Sequence, residues 1–501
     1  MASVRCLDSA FGYDGYGSGA TDIPDQGRIL RNIVEGADMV MSHILHFYHL
    51  AALDYIDTDT PGSIIENQSP WSPAATRNRT DVVGPSLGGS ALVNTLVLNY
   101  VGALNVRRKC HELAAYISGK QPHTPAFIPG GITSVVDDAA ISAMSDLITG
   151  DGGSWPGIID FVDNTYIPDV VTVAKALSGS LLVGAASAGV GEGCKKYLAY
   201  GTFPNLNAPV GEPLNAGEGL LIGGFLNTDG ISLGSWNASA VDKWKIKEYI
   251  KYSHYEKGLL NAYDGLLPIN GVTKVDYQKV TNGSPSASYS WAKAPRYVSG
   301  SEVHVCEVGP LARVLVNYAR GNEAVVYAVN NLLTGALAPL TTANVPNLRS
   351  VLGRHAARAL ECSIIANTIP SWITSLTPNT SAYRHLNIPT SSATGAGFTE
   401  APRGALSHWI RIDGKKISNY QCVVPTTWNV SPKDTNGQHG PIEHAISGTS
   451  VATTADYIKM TRIIRSFDPC IACTVHVVSP DKKKVTKFEV GTASSTFCNS
   501  K

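Results

Sequence analysis

Residues 28–54, RILRNIVEGADMVMSHILHFYHLAALD, decide the fold class. Ile29, Ile33, Val34, Ala37, Val40, Met41, Ile44, Leu45, Tyr48 and Ala52 recur at helical spacing behind Pro24 and a capping Asp25. A long, largely buried helix is predicted. A second runs from about Leu92 to Ser118 and stops at Gly119, where glycine tolerates the left-handed cap. Further helical patterns cover 134–149, 167–187, 322–337 and 350–375. Between them, the Gly-, Pro-, Asn- and Ser-rich stretches 60–90, 202–240, 263–300 and 376–404 read as long connectors, ordered for function or for partner contact. Residues 408–424 differ: Trp409, Ile410 and Ile412, the turn signal Asp413-Gly414, then Ile417, Tyr420, Cys422 and Val424 predict a β-hairpin. Internal repeats and βαβ alternation are absent. The class is therefore α+β and predominantly helical, a central buried bundle carrying small hairpin and sheet elements.

Composition excludes several functions. The 501 residues, 44% of them hydrophobic, suffice for a large core. Forty basic residues balance forty acidic ones, so the chain as a whole offers no attraction to nucleic acid or to anionic membranes. Charged residues reach only 16%, against roughly 25% in a typical soluble protein, which points to a surface partly covered by another chain. The start MASVRCLDSAF has no basic-then-apolar signal pattern, and the apolar window Val170 to Val190 is interrupted by Lys175 and rich in small residues, as in a packed helix. Nine scattered cysteines do not resemble a disulfide framework.

Two segments carry chemistry. In Asp468-Pro469-Cys470-Ile471-Ala472-Cys473-Thr474-Val475-His476, two thiolates three residues apart can chelate one soft metal, and His476 can serve the same or a neighbouring ion. The spacing also suits a redox dithiol or a pair of inert buried cysteines. In Thr399-Glu400-Ala401-Pro402-Arg403-Gly404-Ala405-Leu406, an arginine fixed between Pro and Gly is presented from a loop toward a target, or pairs with Glu400 or a backbone carbonyl. His43, His46 and His49 share one side of the first helix and read as packed, hydrogen-bonded core residues.

These segments, taken in order with Pro129-Gly130-Gly131, Lys293-Ala294-Pro295-Arg296-Tyr297, Glu307 to Arg313, Gly353-Arg354-His355, Pro425 to Asn429 and Gly440 to Glu443, resemble the large subunit of a nickel-iron hydrogenase. The resemblance implies a large-subunit fold over 1–476 and a dinuclear centre whose iron carries carbon monoxide and two cyanides. It makes Cys470 a terminal nickel ligand and Cys473 a bridge between the metals. Arg403 would pair with one cyanide and Thr426 with the other, in a pocket walled by Pro402 and Pro425, with Asp468 orienting Arg403. His476 and the carbonyl of Cys422 match ligands of a Mg2+ or Fe2+ site. Dihydrogen is nonpolar and must be split heterolytically beside a base, and the Cys470 thiolate suits that role better than an arginine.

The same resemblance implies an iron-sulfur small subunit, a maturation endoprotease that removes 477–501 after His476, and a membrane reached only through partners. Co-export with the small subunit would place the chain in the periplasm or on the outer face of the cytoplasmic membrane, and a cytoplasmic place stays open. Two departures stand out. Ser42 replaces an aspartate, as in selenium-containing relatives, although the selenium position is an ordinary Cys470. The family's first C-x-x-C pair has no counterpart from Ala2 onward. Either this sequence starts at an internal Met of a longer protein, or another polypeptide supplies the pair, or the chain is a non-catalytic scaffold like the respiratory-complex relatives.

Overall fold

The computed structural model describes residues 1–57, 59–66, 82–84, 88–177, 191–257, 264–271, 273–281, 288–337, 341–447, 449 and 454–470, and the backbone of 475–478 and 485–488. Helix α1 spans Ala2–Phe11 and α2 spans Asp25–Leu45; Pro24 takes the cap position, so Asp25 is the first helical residue and its charge meets the positive end of the helix dipole. The stripe from Ile29 to Ile44 is buried as expected. Beyond Leu45 the helix widens into a π turn, His46–Ala51, and tightens into a 3-10 turn, Ala52–Tyr55. Such a bulge redirects side chains and is frequent where a helix serves a site.

Helix α3, Gly89–Ser118, ends at Gly119 in the left-handed conformation. It packs on α2 together with a long later helix. The longer intervening helices are α4, Asp138–Thr149, α5, Ile167–Leu177, α6, Pro310–Ala319, and α7, Glu323–Asn331, the last continued by a π turn to Ala336. The expected continuation of α5 to 187 lies outside the described residues. Helix α8, Val351–Thr374, is capped by Ser350 Oγ, which accepts from Gly353 N at 3.1 Å. Along its apolar sequence Arg354, Arg358 and Glu361 recur at four- and three-residue spacing, and all three are buried. Ion pairs, rather than solvent, satisfy Arg354 and Glu361, and Arg358 donates to the carbonyls of Arg354 and Ser466.

Three of the predicted connectors contain strands. Within 202–240 lies β2, Gly219–Asn227, antiparallel to β1, Lys196–Pro204. Within 263–300 lies β4, Ala294–Ser299, between β3, Ile246–Tyr249, and β5, Glu302–His304. Within 376–404 lies β6, Ala393–Ala401. Their glycines mark close packing instead of turns. A Cβ on Gly224 would meet Val316 Cγ1 of α6 at 2.7 Å, and a Cβ on Gly397 would meet Ala2 O of α1 at 2.3 Å. Most of 60–90 is outside the described residues.

The predicted hairpin is β7, Gly404–Asp413, with β8, Lys416–Val423, joined through Gly414 and Lys415, both at positive φ. Strand β6 pairs with the other edge of β7, and the register Ala401↔Gly404 leaves Pro402 and Arg403 as the two-residue turn. All sheets among the described residues are antiparallel. Short helix α9, Pro425–Asn429, follows, and α10, Thr454–Ser466, leads to the terminal segment. There β9, Val475–Val478, pairs with β10, Val485–Phe488, placing His476 opposite Lys487. Most of this pair lies within the segment 477–501 that the resemblance marks for removal. Among the described residues no helix is long and apolar enough to cross a membrane.

Candidate active site

Three chain segments converge on Asp468. Its φ of +53° just before Pro469 is a left-handed conformation that a short polar side chain tolerates but that costs energy, and such strain concentrates at functional sites. Helix α10 fixes its position: Arg462 Nε donates to the carbonyl of Asp54 at 3.0 Å, and Arg358 Nη2 donates to the carbonyl of Ser466 at 3.0 Å. The second segment is the β6–β7 turn, from which Arg403 Nε reaches Asp468 Oδ1 at 3.1 Å. Arg403 therefore pairs with Asp468 and not with Glu400, whose carboxylate is held by Arg313. The Asp468 carboxylate is buried, yet neither oxygen accepts a hydrogen bond of good geometry among the described residues, nor does Arg403 Nε donate one.

The third segment is the π turn of α2. His46 Nε2 donates to the carbonyl of Arg465 at 2.8 Å and lies 4.0 Å from Asp468 Oδ1, its ring stacked on His355 at 5.4 Å. Burial, with Arg358 nearby, pushes both imidazoles well below the usual histidine range, so both are neutral. His43 bonds Glu361 at 2.8 Å and His49 bonds the carbonyl of Tyr100 at 3.1 Å, so all three histidines are hydrogen-bonded packing residues.

Cys470, exposed, follows two residues after Asp468. Its backbone N–H donates to Thr426 Oγ1 at 3.2 Å, from the first turn of α9. Pro425 occupies the N1 position there, and Asn429 locks the helix in place by exchanging hydrogen bonds with both backbone groups of Val308, at 2.9 and 3.1 Å. Cys470, Thr426, Pro425, Arg403, Pro402 and Asp468 thus border one region. Cys473 and the side chain of His476 lie outside the described residues. Cys422, at the end of β8, is exposed and stands apart, next to a buried polar group: Lys293 Nζ lies 3.0 Å from Gln421 Oε1 and 3.3 Å from the Glu248 carboxylate. No group of three or more His, Cys, Asp or Glu among the described residues is arranged to hold a metal.

Sequence reasoning missed the charged scaffold behind this region. Arg313 of α6 donates to Glu361 at 2.7 and 2.6 Å and to Glu400 at 2.8 Å. Arg354 donates to Glu307 through two bonds of 2.8 Å. The charge stripe within apolar α8 was the available signal. One guanidinium faces two carboxylates, which splits their behaviour. Burial works to raise Glu361, but Arg313 and the His43 bond outweigh it and hold the group at about 2. At Glu400 burial outweighs Arg313 and the carboxyl rises to about 7.

A family model described as nickel-dependent hydrogenase matches residues 1–65 and 90–476. The periplasmic NiFeSe hydrogenase large subunit of Desulfomicrobium baculatum is 33% identical over 484 residues, covering 95% of this chain and 82% of that protein. The uptake hydrogenase large subunit of Bradyrhizobium diazoefficiens is 31% identical over 547 residues, covering 98% and 86%. The reduced, active Ni-Fe-Se hydrogenase of D. baculatum superposes with a TM-score of 0.75 at 31% identity, covering 94% of this chain and 85% of that one.

The two carboxylates give opposite pH signatures. Glu361, depressed from its ordinary 4.5 to about 2, contributes stability that is complete above 4.5 and is lost as pH falls through 2. Glu400, raised from 4.5 to about 7, binds its proton more tightly in the folded chain, so it removes stability as pH rises from 4.5 through 7. Denaturant unfolding across this range is expected to show that Glu400→Gln flattens the decline between pH 4.5 and 7; an identical slope in the variant counts against the split.

Proposed function

The chain belongs to the nickel-dependent hydrogenase family, and from that premise we propose that Cys470, Thr426, Arg403 and Asp468 form the described part of its dinuclear nickel-iron site. It is the large, catalytic subunit of a hydrogenase, an oxidoreductase that cleaves and forms dihydrogen. The observation that carries the site reading is the juxtaposition at Asp468: a buried carboxylate and an arginine donor without good hydrogen-bond geometry, strained backbone, and a thiol two residues on whose amide is held by Thr426. Buried polar atoms left in this way fit a group that supplies the missing partners. Relatives named as hydrogenases disfavour a metal-free scaffold.

When bound, the nickel-iron centre supplies Lewis acidity that polarises dihydrogen toward heterolytic cleavage. Cys470 and Cys473 would contribute two of its four thiolates, and this sequence holds no second C-x-x-C pair for the other two. Cys470 Sγ takes the proton. Arg403 stays protonated and, oriented by Asp468, offers its planar fork to a cyanide on the iron. Thr426 Oγ1 accepts from the Cys470 amide, which leaves its own hydrogen to donate to the second cyanide. Pro402 and Pro425 line the pocket without adding donors, and the neutral His46 and His355 leave the Asp468 charge to Arg403 and Arg358. The carbonyl of Cys422 and His476 would hold Mg2+ or Fe2+.

The partner is a small subunit. It carries iron-sulfur clusters, because two electrons must leave the site one at a time and this sequence has no second C-x-x-C run to ligate a cluster. Export travels with that partner to the periplasm, the compartment of the periplasmic NiFeSe relative from D. baculatum. Segment 477–501 is cut away by a maturation protease, in keeping with a family match that ends at residue 476.

Two measurements test this reading. Arg403→Lys is expected to retain nickel but to lower dihydrogen oxidation on the order of 100-fold, the scale of losing one preorganised donor; full turnover at full nickel content refutes the role. Intact mass of nickel-loaded protein from the host is expected to end at His476; active protein that retains Lys501 refutes the processing.

A further inference from the structure

Arg403 owes its place to backbone and not to side-chain packing. Its side chain is 30% exposed and its one ion pair among the described residues is Asp468. The turn that carries it has only two residues, and both carbonyls on its approach are taken by a single buried group. Arg313 Nη1 donates to the carbonyl of Ala401 and Nη2 to that of Pro402, each at 3.0 Å. With the bonds to Glu361 and Glu400, all five N–H donors of this guanidinium are used, and the side chain is fully buried.

The same helix closes on the turn from its start. A Cβ on Gly309, the cap of α6, would stand 3.0 Å from the carbonyl oxygen of Arg403, and one on Gly404, at φ +136°, would stand 2.7 Å from Gly309 N. Helix α6 therefore meets the turn at both its cap and its first turn.

We propose that Arg313 is the positioning residue of Arg403, clamping the Pro402–Arg403 turn through its two carbonyls while Glu361 and Glu400 fix the clamp from behind. The proposal rests on the reading that Arg403 faces the nickel-iron site. A lysine at 313 keeps the charge but has a point donor in place of a fork, so it cannot span two carbonyls and two carboxylates at once.

The test uses the purified hydrogenase with its small subunit and compares Arg313→Lys, Arg403→Lys and the double variant. Arg313→Lys is expected to speed backbone amide exchange across residues 401–405 on the order of tenfold, and to lower kcat with KM for dihydrogen unchanged. In the Arg403→Lys background it is expected to cost no further turnover, because both changes act through one guanidinium. If Arg313→Lys does not accumulate, Arg313→Met with Glu361→Gln and Glu400→Gln removes the clamp without stranding either carboxylate partner and is read in the same way. Unchanged exchange at 401–405, or kcat losses that multiply in the double variant, overturn the proposal. Unchanged turnover in Arg403→Lys alone, with exchange still raised by Arg313→Lys, instead refutes the role of Arg403 and leaves the clamp standing.

Discussion

The buried guanidinium of Arg313 is the constraint from which the rest of the site follows. It joins α6 to Glu361 on α8 and to Glu400 on β6, and it ties both to the turn that presents Arg403. Burying such charges is expensive, and an ion pair of this kind is weak evidence for net stability. What it offers is geometry: five donors in a rigid fork admit one arrangement of helix, strand and turn. The second pair behind the site, Arg354 with Glu307, anchors the segment that runs into Gly309 in the same way. The cost of desolvation is met by complete hydrogen bonding at Arg313, and it is left partly unmet at Asp468 and Arg403, where a bound group would complete it.

That contrast separates scaffold from site. His43, Glu361, Arg313 and Glu400 satisfy one another, whereas Asp468 sits at a strained φ among neutral imidazoles with its oxygens turned to Arg403. Orphaned buried polar atoms and a left-handed residue before proline coincide at one position, beside Cys470. Natural proteins tolerate such conflicts chiefly where function requires them.

Much of this was legible in the residues. The helical stripe from Ile29 to Ile44, the stop at Gly119 and the Asp413-Gly414 hairpin follow from local periodicity and turn chemistry, which need no tertiary information. The strands inside 202–240 and 376–404 were illegible because Gly224 and Gly397 are small for the sake of a helix packed against them, and glycine reads locally as a loop. Arg403 stood out by its place between Pro and Gly; local spacing offered Glu400, three residues away, as its partner, whereas the family resemblance named Asp468, which the fold brings to it from a distant segment. Arg313 carried no local signal, since a lone arginine in an apolar helix is interpretable only once Glu361 and Glu400 are brought to it. The family resemblance supplied the ordered set of segments and the order in which they matter; the ion-pair scaffold came from the structure.

Everything proposed for the site turns on Cys470, held by Thr426 and flanked by the Arg403–Asp468 pair, binding nickel. The direct measurement places selenium at that sulfur: Cys470→selenocysteine in the purified enzyme, with X-ray absorption recorded at the selenium edge. A nickel atom at bonding distance from the selenium, in addition to its carbon neighbour, is the expected result. A selenium that sees carbon alone, in protein with full nickel content, would contradict it.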